Sequence, residues 1–505
     1  MPRPLRVTAA IALSLSVTAA LAGCAGSSSA SSTDELDIAT TVSAVSFDPY
    51  LADSGPSIWI LQPAYETLIT KNADGTYTPG LASAYEYLSP TSFQLTVRDG
   101  VTFSDGTVLD AAGVVANLER VKTVSGPAIG NAAAIDTITA TDAKTVLITL
   151  SAPFPAMEDL LSHNVGMMVS PADLSSPDLA TEPAGTGPYV LDTDATVSGD
   201  HWRFVRNADY WGDASAFSYD ALEYKYFTDP SSTLNAVRAG TMDIALGNTT
   251  TAAAAKSAGL QIVTQATDTW GLVLGDRAGT NQPALGDVRV RQALNYAIDR
   301  DAITKAVVGE YGSPAHQYFG TQTTGNVPAL DDAYPFDPEK AKELLADAGY
   351  ANGFTFAVTA VPGIHDAMVQ AIQGYLAEVG VTMTIDQDGD FFANVQAAKD
   401  PAYALTYTQG DMYTTLAPIV TPTGVLNPYK SSDERINGLY AQVAASSDPA
   451  EQTSLYQQIA QIVSDDAWFL PVYYADVIVY ASKNVEVKLW PGEGYPWIYA
   501  WSPIS

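Results

Sequence analysis

Two hydrophobic periods are intermixed along this chain, without a strict strand–helix–strand rhythm. Phe93-Gln94-Leu95-Thr96-Val97 alternates apolar and polar side chains, the period of a strand with one buried face. Val101-Thr102-Phe103 does the same after Asp99-Gly100, which predicts a hairpin, and Asp105-Gly106 supplies a second turn. Asp110 is placed to cap a helix running to Arg120. The β-branched run Thr145 to Leu150 predicts another strand. Further on, Val290, Ala293, Leu294, Ala297 and Ile298 fall on one face of a helix. Asp337 as cap, Pro338 in the first turn and Gly349 at the end bound a second helix, with Ala341, Leu344, Leu345 and Ala348 inward. Such intermixing predicts α/β domains with mixed sheets. A chain of 505 residues has room for about three domains.

The N-terminus follows other rules. Arg3 and Arg6 precede Val7 to Gly23, an uncharged, small and apolar stretch that fits a secretory signal better than a membrane span. It ends Leu21-Ala22-Gly23-Cys24, which resembles the bacterial lipobox, in which the thiol after the cut is lipidated. Cys24 is the chain's single cysteine. Ala25 to Thr33 is Ser-rich, has nothing with which to form a core, and reads as a flexible tether. Residues 1–23 are therefore expected to be a lipoprotein signal peptide, and 24–33 a spacer from a lipid anchor. The expected location is extracytoplasmic, on the outer face of the cell membrane or in the periplasmic space.

Composition excludes several classes. With 56 acidic residues against 24 basic, the net charge is −32, so no basic stripe is present to neutralise nucleic-acid phosphates. Loss of Arg3 and Arg6 leaves the charge more negative still, which favours solubility. One cysteine rules out a disulfide scaffold and any zinc site built on several thiolates. Chemistry is equally scarce: G-x-S-x-G, H-E-x-x-H, G-x-x-x-x-G-K and S-x-x-K are all missing. Gly185-Thr186-Gly187-Pro188 lacks the third glycine of a dinucleotide fingerprint and reads as a turn before a strand. Asp386, Asp388 and Asp390 alternate like a calcium loop, but Phe391 stands where that loop needs glycine. His163, His201, His316 and His365 have no ligand spacing. No catalytic residue, metal site or cofactor is expected, and an exported chain without catalytic signatures points to binding.

A series of landmarks carries a resemblance. They are Tyr65-Glu66-Thr67-Leu68, Pro79-Gly80-Leu81-Ala82, Arg98-Asp99-Gly100-Val101 through Ser104-Asp105-Gly106, Gly185 to Tyr189, and Asn207-Ala208-Asp209-Tyr210-Trp211. Asp287 to Arg300 and Phe469-Leu470-Pro471-Val472-Tyr473 complete the series. In this order they resemble the family-5 extracytoplasmic solute-binding proteins of ABC transporters, the peptide and nickel group, from about Leu36 to about Tyr480. The resemblance implies a two-lobed fold of the periplasmic-binding-protein type (class II) with an additional inserted domain. Lobe I would comprise 34–69, 184–266 and 476–505, the inserted domain II 70–183, and lobe III 267–475. Crossings near Thr267–Trp270 and Tyr474–Asp476 would act as the hinge, and lobe closure would enclose a ligand. The implied partners are a small solute or peptide and ABC permease subunits in the membrane, the receptor itself being a monomer.

The resemblance also implies ligand-binding residues. Asp411, in Thr408-Gln409-Gly410-Asp411-Met412-Tyr413, falls on the carboxylate with which peptide-binding members hold an α-ammonium, and Gly410 and Tyr413 flank it. Two departures accompany it: Leu405 stands where some members place an arginine for the peptide carboxylate, and Thr408 replaces an aromatic. Trp270, Tyr473 and Tyr474 lie at the crossings, where their rings could stack on a ligand or pack the hinge. Ser46 belongs to the matching first-lobe loop. Trp490, Trp497 and Trp501 are expected to cover the back of lobe I rather than to stack on a sugar. The expected function is peptide transport as the substrate-binding component of an ATP-binding cassette transporter complex. A nickel or other metal chelate and a saccharide are alternative ligands. A tethered hydrolase and a sensory lipoprotein are the alternatives of other classes.

Overall fold

The computed structural model of the chain describes residues 35–44, 46–52, 56–124, 132–499 and 501–504. Residues 1–34, on which the expected signal peptide, the tether and Cys24 fall, lie outside the described residues. The backbone of the molecule is one 11-stranded mixed sheet. At one end Thr355–Thr359 runs parallel to Thr382–Asp386 and to Ala402–Thr408. At the other Glu35–Thr40 runs parallel to Ala221–Tyr226 and Ile244–Leu246, followed by His201–Arg206 and Tyr189–Leu191. Two long antiparallel strands, Gln261–Leu274 and Phe469–Ala481, join the two ends. Their pairing breaks register between Ala266 and Asp268, opposite Asp476 and Ala475, and again between Trp270 and Gly271. A β-bulge adds a local bend and twist to a strand, so the sheet is least regular where it passes from one end to the other.

Each end builds its own core. Leu36, Trp59, Phe204, Tyr224 and Ile244 pack together on one side, with Trp501 of the C-terminal segment among them. On the other side, Leu272, Val290, Leu294, Ile298, Leu345 and Leu376 form a second core. A separate four-stranded antiparallel sheet, Ala82–Ser89, Ser92–Val97, Thr145–Leu150 and Ile135–Ala140, makes a third with the helix Ala111–Val121. The fold is thus α/β with mixed sheets, and the chain leaves the large sheet after Glu35–Thr40 and returns to it after the four-stranded body.

Local expectations hold where neighbouring residues decide the outcome. Asp110 Oδ1 accepts from Gly113 N at 2.8 Å and caps the helix Ala111–Val121. Thr145–Leu150 is a strand over the residues expected. Val290, Ala293, Leu294, Ala297 and Ile298 are all buried. Asp337 caps the helix Pro338–Asp347, and Gly349 takes φ +90° just past its end. Its face is narrower than expected, since Ala341 and Leu345 are buried whereas Leu344 and Ala348 stay partly exposed. Gly185 to Pro188 does form a turn before the strand Tyr189–Leu191; a Cβ on Gly185 would lie 2.0 Å from Ala64 O.

One expected hairpin is corrected. Ser92–Val97 pairs with Ala82–Ser89 on one edge and with Thr145–Leu150 on the other, so it has no free edge for Val101-Thr102-Phe103. That segment instead folds back across Asp105-Gly106, with Phe103 N donating to Thr107 O at 2.8 Å and Leu109 N to Val101 O at 3.0 Å. Asp386 pairs with Lys399, and Asp390 caps the helix Phe391–Gln396, so two of the three alternating aspartates have structural partners.

Candidate functional site

The strand Ala402–Thr408 ends at the large sheet's crossing and passes through Gln409 and Gly410 into the helix Met412–Val420. Asp411 is the N-cap of that helix, and its Oδ1 accepts from Tyr413 N at 2.9 Å and Thr414 N at 3.1 Å. Gln409 is clamped, donating from Nε2 to Tyr318 O at 2.7 Å and accepting from Gly320 N at 2.9 Å. Tyr413 reaches a segment 260 residues away along the chain: its hydroxyl donates to Pro153 O at 3.3 Å, and its ring meets Phe154 edge-on at 5.4 Å. Behind it, Tyr440 stacks at 4.4 Å. Gly492, at φ +75°, closes the other side so tightly that a Cβ there would be 3.2 Å from Gln409 O and 3.4 Å from Gly410 Cα.

Opposite Asp411 lies a buried charge cluster drawn from distant segments. Lys71 ends the short strand Ile69–Lys71, Asp159 sits in the helix Met157–Leu161, His163 follows that helix, and Glu493 belongs to the C-terminal segment. Lys71 Nζ lies 2.7 Å from Glu493 Oε1 and 3.9 Å from Asp159 Oδ1. His163 Nε2 is 3.4 Å from Glu493 Oε1, and its Nδ1 is 3.8 Å from Asp159 Oδ1. Tyr77, across the strand pair from Lys71, donates its hydroxyl to Asp159 Oδ1 at 2.9 Å.

These charges set one another's protonation. Burial disfavours the Lys71 ammonium, but Glu493 and Asp159 outweigh it and hold the group above its ordinary range. Burial likewise opposes the His163 imidazolium, and Asp159 and Glu493 overcome it, lifting His163 to about 9. Glu493 resists burial through Lys71 and His163, which pull it down to about 2. Asp411 goes the other way. Burial, then repulsion from Asp159, push its carboxyl up, against the backbone amides of Thr414 and Tyr413 and the field of Lys71. Three carboxylates, Asp159, Asp411 and Glu493, therefore face two cations, Lys71 and His163. Asp411 forms no ion pair of its own among the described residues, so its carboxyl, when ionised, is one negative charge more than the two cations can match where three bodies meet. A desolvated carboxylate gains most from a cation.

The other expected contacts are distributed differently. Gly410 and Tyr413 stand beside Asp411. Tyr474 donates to Gln317 O at 2.8 Å and Phe319 O at 3.1 Å, and so holds the loop that clamps Gln409; with Gly320, Gln409 and Gly492 it borders a hollow of about 20 Å³. Trp270 and Tyr473 are register partners and stack at 5.6 Å, with His365 edge-on to Trp270 at 5.8 Å. Tyr473 is buried in the core of its own lobe, and Trp270 packs against that core. Ser46 stays with the first lobe, accepting from Asp48 N at 3.0 Å, while Asp48 pairs with Arg120. Leu405 points into a core with Tyr403 and Phe469, and Thr408 donates to Asp268 at 2.6 Å, which accounts for both departures in packing terms. Of the tryptophans, Trp501 packs on Trp59 in the first-lobe core, whereas Trp490 and Trp497 stack on each other at 5.3 Å beside His163. Lys71, Asp159, His163 and Glu493 were not singled out as a group by sequence reasoning; the i,i+4 spacing of Asp159 and His163 was the one local signal.

Comparison with known proteins adds a family model. The model described as bacterial extracellular solute-binding proteins, family 5 Middle, matches residues 76–426. Among curated relatives, the glutathione-binding protein GsiB of Shigella dysenteriae is 29% identical over 96% of both chains. Its counterpart in Escherichia coli K12 is 28% identical over the same shares. Among solved structures, HbpA2 from Haemophilus parasuis superposes with a TM-score of 0.82 at 23% identity, over 94% of this chain and 100% of that one. DppA from Helicobacter pylori in complex with the peptide STSA gives 0.76 at 20% identity, over 93% and 97%. NikA from Brucella suis with Fe(III)-EDTA gives 0.79 at 24% identity, over 93% and 100%. At these identities the structural likenesses bear on the fold.

Proposed function

The chain belongs to family 5 of the bacterial extracellular solute-binding proteins, the receptors of ABC importers, and from that premise we propose that it captures an oligopeptide by its α-ammonium at Asp411 and delivers it to a membrane permease. The observation that carries this reading is the uncompensated Asp411: an N-cap carboxylate, pushed up by burial and by Asp159, beside a cluster whose two cations are already matched by Asp159 and Glu493. A ligand ammonium would supply the missing charge, and charge-assisted hydrogen bonds are the strong ones. Gly410 and Tyr413 would flank the ligand and Tyr474 would hold the clamp loop behind it. The relatives named for glutathione make that tripeptide the first to try, since it carries one α-ammonium.

Lobe I would be 34–69, 184–266 and 476–505, with 70–183 inserted and 267–475 as lobe III. The bulged crossings at Ala266–Asp268 and opposite Asp476 would bend as the cleft opens. Residues 1–23 would direct export, and Cys24 would carry the lipid that keeps a monomeric receptor at the membrane face.

The test is native mass spectrometry of the purified mature chain for a carried ligand, followed by calorimetry with glutathione and a di- and tripeptide pool. Peptide binding that Asp411→Asn weakens by roughly tenfold or more supports the reading. Full-affinity binding of a metal chelate or saccharide, with no peptide bound, would replace it.

A further inference from the structure

A second cavity, of about 130 Å³, opens where the first lobe meets the four-stranded body. Its walls include Gln62, Tyr65, Glu66, Arg98, Trp211 and Trp497. Three of these carry buried polar atoms without a partner among the described residues: Gln62 Nε2, Tyr65 Oη and Trp497 Nε1. The side chains are only 2%, 3% and 6% exposed. Native structures leave few such atoms, and each lost hydrogen bond costs about 1–3 kcal/mol. The Tyr65 hydroxyl lies in the field of Asp48, Tyr50 and Arg120, which leaves two free donors on the wall of one cavity to call for an occupant.

The polarity of the walls says what kind. Gln62 Oε1 already accepts from Ile498 N at 3.0 Å, which fixes its free Nε2 as a donor. Trp497 Nε1 can only donate. Arg98 donates Nε to Gly80 O at 2.9 Å, lies over the Trp211 ring at 5.5 Å, and forms no ion pair among the described residues. The acceptors, by contrast, are spoken for: Glu66 takes the Tyr210 hydroxyl at 2.6 Å and Trp211 Nε1 at 2.7 Å. Burial also raises Glu66 to about 7, despite these hydrogen bonds, which thins its negative charge and leaves the Arg98 guanidinium dominant. Free donors, an available guanidinium and aromatic walls suit an anion with two coplanar oxygens and a small apolar remainder. A dry cavity of about 150 Å³ accepts benzene, so the ligand is small.

We propose that this junction is a binding site for a small carboxylate, held by Arg98, Gln62 and Trp497, and separate from the cleft at Asp411. A ligand there ties together segments from the first lobe, the four-stranded body and the C-terminus, so occupancy stabilises the molecule.

The mature chain is titrated with acetate, propionate and benzoate, and with acetamide, benzamide and glycerol as uncharged controls. Binding is read by saturation-transfer NMR and by melting temperature. A carboxylate should bind and raise the melting temperature where its amide does not. Arg98→Gln should weaken it by roughly tenfold or more. Trp497→Phe, which removes the unpartnered indole N–H and keeps an aromatic ring, should weaken it several-fold. Asp411→Asn should leave it unchanged, which separates this site from the peptide cleft. The proposal falls if no carboxylate binds, if amides or glycerol bind equally well, if Trp497→Phe and Arg98→Gln both bind like the parent, or if a structure soaked in carboxylate shows ordered water only.

Discussion

Lys71 Nζ and Glu493 Oε1 lie 2.7 Å apart in the folded chain and 422 residues apart along it. The pair fastens the hairpin of Ile69–Lys71 and Tyr77–Pro79 to the C-terminal segment, and both side chains are almost wholly buried, at 6% and 3% exposure. Breaking a buried pair from one side strands a charge, at about 3–5 kcal/mol. Lys71→Met should therefore lower unfolding stability by about that amount, as measured by urea denaturation at neutral pH. The double variant Lys71→Met/Glu493→Leu should recover much of the loss, because replacing both partners leaves no stranded charge. A double variant no better than the single one would mean the pair acts by packing alone.

Stability should peak on the acidic side of neutral. Glu493 titrates at about 2 in the fold against 4.5 ordinarily, so its contribution is complete above 4.5 and is lost as pH falls through about 2. His163 titrates at about 9 against 6.5, so its contribution is complete below 6.5 and is lost as pH rises through about 9. Both are intact between 4.5 and 6.5. In a series of melting curves, His163→Gln should flatten the decline between 6.5 and 9 that the parent shows. Parallel declines in the two proteins would count against this assignment.

Ligand binding should expel a proton. Burial and Asp159 raise the Asp411 carboxyl, so the folded, empty protein holds a proton there to higher pH than the unfolded chain does. That stabilising contribution is full below the ordinary value of 3.8 and is lost as pH rises through the raised one. An ammonium selects the ionised form, so affinity should fall as pH drops through the raised value. Calorimetry of a bound peptide in two buffers of different ionisation heat should show proton release near that pH. Asp411→Asn should lose about 1.5–3 kcal/mol of binding, the worth of a hydrogen bond to a charged group, and with it the buffer dependence.

Closure should depend on two contacts that cross between bodies. Tyr413 reaches Pro153 and Phe154, and Gly492 packs on Gln409 and Gly410. Gly492→Ala puts a Cβ 3.2 Å from Gln409 O and holds an alanine at φ +75°, a conformation costing about 1–2 kcal/mol. Gly492→Ala and Tyr413→Ala should each shift the molecule toward an open form, with a larger radius of gyration by solution scattering and roughly tenfold weaker ligand binding for each 1.4 kcal/mol lost. Scattering profiles identical to the parent, with and without ligand, would contradict a role in closure.

Much of the local architecture was legible in the residues themselves. The Asp110 cap, the buried face from Val290 to Ile298 and the ends of the helix Pro338–Asp347 each depend on groups within a turn or two of one another. The hairpin expected after Val97 does not form, because turn chemistry at Asp99-Gly100 says nothing about strand edges. Ser92–Val97 is flanked on both sides by strands, one of them Thr145–Leu150, about 50 residues on. Asp411 came from a motif. The groups around it did not, since a lone lysine, a lone histidine and two scattered acids carry no mark of one another.

The sequence by itself determined the α/β character, the main caps and turns and the family, because helix period, capping and turn geometry act over a few residues and leave their pattern in the chain. Only the tertiary structure decided which charges meet. Lys71, Asp159, His163, Asp411 and Glu493 become a cluster when three bodies close on one another and exclude water. At that point screening falls, each carboxylate feels its neighbours, and Asp411 is left without a cation of its own.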